Sequence, residues 1–139
     1  MTFTMTAEIA APYEQAVERA RAELTAVGFG VLTEIDMAAT LQAKLGVTIA
    51  PKVILGACRP QLAHQAVEAD PRVAALLPCN VVVSAVDPTH SRIEVLDPAM
   101  MSELSPAVAD VAAEARSLLE GFLKAMTTSD EETPDADRA

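Results

Sequence analysis

Aromatic side chains are scarce in this chain: tryptophan is absent, and 139 residues hold one tyrosine and three phenylalanines. Half the residues are nevertheless apolar, so the core must be built from Ala, Val, Leu, Ile and Met. Such a core packs well but offers no stacking platform for bases or sugars. Positive charge is also short, with 10 Lys and Arg against 20 Asp and Glu and a formal net charge of -10. The basic residues are scattered singly. A surface of that kind repels phosphate backbones and anionic membranes, which argues against nucleic acid as a partner.

No apolar run approaches the roughly 20 residues that a bilayer-spanning helix needs, which argues against a membrane role. The opening Met1-Thr2-Phe3-Thr4-Met5 has neither the basic start nor the apolar stretch of a signal peptide. The expected compartment is the cytoplasm, where thiols stay reduced. Two cysteines are too few for a disulfide scaffold. There is no C-x-x-C pair, no G-x-S-x-G elbow and no glycine-rich phosphate loop. Gly28-Phe29-Gly30 leads from a helix into a strand, the reverse of a dinucleotide fingerprint.

What is present is a regular succession of elements. Phe3, Met5, Ala7 and Ile9 alternate as in a half-buried strand. From Tyr13 an apolar stripe at helical spacing (Ala16, Val17, Ala20, Leu24, Val27) runs to a stop at Gly28. Phe29, Val31, Thr33 and Ile35 resume the alternation of a strand facing one way. Asp36 suits the N-cap of a short helix ended by Gly46. A strand over residues 53–57 precedes a helix from Pro60 that buries Leu62, Ala63, Ala66 and Val67. Asp70-Pro71 stops it, and residues 73–77 read as one helical turn.

Residues 80–86 are the strongest strand, and turn residues from Asp87 to His90 return the chain through Ile93 and Val95. Helical patterning follows from Asp97-Pro98, restarts at Pro106 and carries an apolar stripe to Met126. The order is β-α-β-α-β-α-β-β-α in a single domain over residues 1–126. That predicts an α+β fold with a mixed or largely antiparallel sheet packed by helices. A parallel doubly wound sheet would need longer two-sided apolar runs. Residues 127–139 are polar and acidic, and a disordered tail is expected there. Any apolar stripe left uncovered on the last helix would serve as a homodimer face.

Chemistry points to the cysteines. Cys58 closes one predicted core strand just before a helix start, with Arg59 beside it, and both features lower a thiol pKa. Cys79 opens the next strand. If folding brings the two together, Cys58 supplies a thiolate and Cys79 a second sulfur, with Arg59 and Asn80 as polar neighbours. Three functions fit: a binding or sensing site for a metal ion or small molecule, a thiol redox enzyme with Cys79 resolving, or a structural homodimer in which both thiols are core filler. Of metals, copper(I) suits two soft ligands. His64, four residues before Glu68, reads as a solvated helix pair, and His90 as a turn residue.

Four segments carry a resemblance. They are Gly28-Phe29-Gly30-Val31-Leu32-Thr33-Glu34-Ile35-Asp36, Ile54-Leu55-Gly56-Ala57-Cys58-Arg59-Pro60-Gln61-Leu62-Ala63, Leu76-Leu77-Pro78-Cys79-Asn80-Val81-Val82-Val83 and Asp97-Pro98-Ala99-Met100-Met101. In this order they resemble the bacterial family called domain of unknown function 302, over roughly residues 3 to 126. The resemblance implies a small α+β domain, often dimeric, with no settled activity. It also implies that Cys58 and Cys79 belong to the family pattern, and that Arg59 stands where an asparagine is common.

Overall fold

The computed structural model describes residues 2–138, with side-chain surroundings described for residues 2–128. Strands β1 (Thr4–Ile9), β2 (Gly30–Asp36), β3 (Lys52–Cys58), β4 (Cys79–Asp87) and β5 (His90–Leu96) form one sheet in the order β1-β5-β4-β3-β2. Every neighbouring pair is antiparallel. The helices are α1 (Tyr13–Ala26), α2 (Met37–Leu45), α3 (Pro60–Ala69), α4 (Ala99–Leu104) and α5 (Ala109–Arg138). The expected α+β architecture is therefore observed, with a largely antiparallel sheet that is in fact wholly antiparallel. The expected tail, residues 127–139, lies apart from Thr127 and Thr128 outside the residues whose surroundings are described.

One face of the sheet carries the core. Cross-strand rows such as Val53, Val83 and Ile93, or Leu55, Val81 and Val95, are all buried. Ala16, Ala20 and Leu24 of α1 and Leu119, Phe122 and Met126 of α5 cover them. The alanines let α1 approach the sheet closely, which suits a core with few aromatics. Ser91 sits in the same buried layer and donates its hydroxyl to the Ala11 carbonyl at 2.8 Å, so no buried polar group is wasted there.

Local chemistry fixes the element ends. Gly28, at φ +85, takes the left-handed conformation that turns α1 into β2. Asp36 caps α2 by accepting from the Ala39 amide at 2.9 Å, and Gly46 closes that helix at φ +67. One detail departs from the sequence reading. Between Val31 and Thr33 the register slips by one residue. Val31 thus faces the core opposite Ala57, while Thr33 and Ile35 face the other side opposite Gly56 and Ile54. The bulge at Leu32 inverts the pleat, so the alternation that groups Phe29, Val31, Thr33 and Ile35 on one face does not hold. The restart expected at Pro106 is observed: Ser105 separates α4 from a 3-10 turn (Pro106–Val108) that leads into α5.

Candidate functional site

The ends of β3 and β4 meet where Ala57 pairs with Cys79, which places Cys58 and Cys79 one residue apart across neighbouring strands. Both line a single small pocket with about 30 Å3 of free space. Its floor is the strand ends with Phe29. Its walls are Leu62, Ala63 and Ala66 of α3 and Val111, Ala112 and Ala115 of α5, closed by Leu77, Met101 and Val108.

The pocket is a seam between two hydrophobic clusters. Phe29 and Ala57 belong to the main core under the sheet, whereas Ala66, Met101 and Val108 belong to a smaller cluster beneath α3 and α4. Alanines at 57, 63, 66, 112 and 115 are too short to fill the gap where these elements converge. In the sequence these residues count simply as members of buried stripes. Their small size at facing positions is the available signal, and it has meaning only once α3 and α5 are known to face each other.

The two thiols differ in environment. Cys79 is buried at 7 % exposure, while Cys58 is half-buried, and the two are free rather than bridged. Burial pushes the Cys79 thiol up to about 11, and the neighbouring Cys58 adds to the rise. Cys58 lies just outside the start of α3, as expected. Arg59 does not serve the thiol in the expected way. Its Nη1 donates to the Val27 carbonyl at 3.1 Å, so the guanidinium is committed to the C-terminal end of α1. It occupies the space over Gly28 that any side chain there would take. Asn80 is not brought to the pocket: it is exposed and pairs opposite Gly56. A strand points successive side chains to opposite faces, so Cys79 and Asn80 cannot share one.

Among the described residues no cluster of three or more His, Cys, Asp or Glu is placed to hold a metal ion. His64 is exposed beside Glu68, and His90 opens β5 directly after the turn, beside Asp87 and Thr89. A second, more open groove lies between Tyr13, Pro51 and Pro88, with Glu14 and Asp87 on its rim. The Asp87 carboxylate is held below its ordinary range, first by the Thr89 amide, then by the Thr89 hydroxyl and His90. That carboxylate is an acceptor within its own turn. No helix among the described residues is long and apolar enough to cross a membrane.

Comparison with known proteins places this geometry. The family profile described as "Domain of unknown function DUF302" matches residues 4–126. The chain belongs to the DUF302 family. It is also similar to a crystal structure of an uncharacterized conserved DUF302 protein from Bacillus stearothermophilus, with 30 % identity and a TM-score of 0.81. That likeness covers 89 % of this chain and 98 % of the other. No curated protein matches the chain. The DUF302 profile spans every element that builds the pocket, from Phe29 to Ala115.

Proposed function

We propose that this DUF302 domain is a binding module that seats a small apolar molecule in the seam between the β3–β4 strand ends and helices α3, α4 and α5. One observation carries this reading: the seam leaves an unfilled space of about 30 Å3 walled almost entirely by hydrocarbon. Binding sites for small molecules are typically concave, apolar and furnished with a few placed polar groups. Here the half-buried Cys58 is the one such group, since Arg59 turns its guanidinium to the Val27 carbonyl.

The test is a titration with xenon, an apolar probe of the size of the space, followed by methyl NMR. Met101, in the pocket wall, is expected to shift saturably. Ala63→Leu, which fills the seam from a half-buried position on α3, is expected to abolish that shift while the fold is retained. Stabilisation should accompany binding, at about 2.7 kcal/mol when ligand reaches a hundred times its Kd. A wild-type spectrum unmoved by xenon would dismiss the reading.

A second reading is favoured by the two cysteines lining one pocket. Two sulfurs suit copper(I), and one equivalent taken up under reducing conditions, lost in Cys79→Ser, would support it. A thiol enzyme is supported less. At neutral pH a thiol whose pKa is about 11 is ionised in only about one part in ten thousand, which suits a resolving nucleophile poorly.

A further inference from the structure

We propose that the open groove between Tyr13, Pro51 and Pro88 is a second ligand site, which takes a small organic amine as its protonated ammonium ion. The groove is independent of the seam. It lies at the opposite ends of the same strands, beside the start of β3 and the end of β4, where α1 begins.

Its room is about 400 Å3, within the range of small-molecule sites and far more than the seam leaves. Pro12, Pro51 and Pro88 stiffen the backbone around it. The Ala85 amide donates to the Pro51 carbonyl at 2.9 Å, which ties two of its sides together. The groove is therefore formed before any ligand arrives. Strands β3 and β4 are interior, paired on both sides, so no free edge crosses the groove for a peptide to join. A small molecule is the occupant that this shape suits.

Charge decides its class. Glu14 and Asp87 are the charged residues that line the groove, and both are acidic. Lys52, next to Pro51, stands in the reverse-face row with Ser84, because Val53 and Val83 face the core. The positive end of α1 meets Glu14 in its own first turn, which leaves Asp87 in excess. The Thr89 amide, the Thr89 hydroxyl and His90 Nδ1 all meet the Oδ1 atom of Asp87. Its Oδ2 is left as an acceptor, which an N–H donor satisfies and a quaternary ammonium does not. Tyr13 adds a half-buried ring to the wall. Burial first, then the Asp36 and Glu14 carboxylates, raise its hydroxyl pKa above the ordinary value, so the field at the ring is negative. An ammonium ion gains from that field and from the ring face. The prolines and Val86, which is 43 % exposed, offer hydrocarbon for the rest of the ligand.

Tyr13 is the one tyrosine of the chain and tryptophan is absent, so intrinsic fluorescence reports on this groove. Cyclohexylamine, protonated at pH 7, and neutral cyclohexanol share size and shape. Each is titrated into wild type, Asp87→Asn and Glu14→Gln at low and at high salt. The amine is expected to change the fluorescence saturably and to bind about fivefold more tightly than the alcohol at low salt, the scale of an exposed ion pair. High salt should shrink that preference. Asp87→Asn is expected to abolish it, while the asparagine oxygen still accepts from the Thr89 amide and retains the turn. Glu14→Gln, at an exposed helical position, is expected to lower it less and keeps a readout should the asparagine variant fold poorly. A preference lost only in Glu14→Gln would move the charge to that carboxylate and keep the amine. No saturable response to the amine, equal affinity for the alcohol, or a preference unmoved in both variants would overturn the assignment.

Discussion

At the scale of single residues, one thiol decides how much chemistry this pocket performs. Cys79 is the buried one, and its pKa of about 11 reflects desolvation first and the nearby Cys58 second. Alkylation by iodoacetamide in the folded protein is therefore expected to mark Cys58 well before Cys79 at pH 7.5, because the thiolate is the reacting species. The same perturbation sets a stability trend. The unfolded thiol ionises near 9, whereas the folded one keeps its proton to about 11. Across that interval the native state binds more protons, so stability falls as pH rises. The full loss is about 2 to 3 kcal/mol at 1.36 kcal/mol per unit. Denaturation midpoints measured between pH 8 and 11 should decline in wild type and decline less in Cys79→Ala. Parallel curves would mean that the thiol is not desolvated as described. The sequence shows both cysteines at strand ends and leaves open whether folding brings them together; the pairing of Ala57 with Cys79 is what sets those ends on neighbouring strands. The sequence could not show the direction of the Arg59 side chain, which depends on the C-terminus of α1 lying within reach across the fold.

Elements are joined at a second polar point away from the pocket mouth. Asp70, between α3 and the following 3-10 turn (Pro71–Leu76), accepts from the Ser105 hydroxyl at 2.7 Å and from the Arg72 side chain at 2.8 Å. Arg72, Ser105 and the Arg72 amide together hold this carboxyl well below its usual range. The Arg72 side chain is 84 % exposed, so water screens the ion pair. The buried bond to Ser105 is the stronger link between the α3 end and the α4–α5 junction. Ser105→Ala is expected to destabilise by about 1.5 to 3 kcal/mol, the range for hydrogen bonds to charged groups. Because the folded carboxyl stays ionised below the ordinary carboxylate pKa of about 4, its contribution is complete above that value and is lost as pH falls further. The mutational cost should thus be larger at pH 7 than at pH 2.5. A cost that does not vary with pH would place the effect of Ser105 elsewhere. Element types were legible wherever periodicity and caps agreed, as at Asp36, Gly28 and Gly46. The phase of β2 was not, because nothing local distinguishes the extra Leu32 from an ordinary strand residue. The bulge is set by pairing with β3, a long-range condition.

For the whole molecule, the expectation of a homodimer meets a changed surface. The stripe on α5 is not left uncovered: Ala112, Ala115, Leu119, Phe122 and Met126 are all buried within the chain's own core and pocket wall. That helix offers no dimer face along those positions. The open surface is the reverse side of the sheet, where the pairing register sets Ile35, Ile54 and Val82 in one cross-strand row. Ile35 is 46 % exposed, and Leu32 beside it on the bulge is 66 % exposed. Gly56 is the buried position on this side, because the Thr33 and Pro78 side chains close over it. Strand β2 is also a sheet edge, with unpaired backbone groups along its outer side. An apolar row beside a free edge suits a self-complementary contact between two copies. We expect sedimentation to give twice the 14.6 kDa of one chain, and Ile35→Lys to return it to a monomer with unaltered far-UV circular dichroism. Since Ile35 lies across the sheet from the pocket, the same variant should bind xenon as the wild type does. Wild type that sediments as a single chain at about 100 μM, well above the micromolar range of stable complexes, would remove the dimer. A dimer that persists in Ile35→Lys would move its interface off this face.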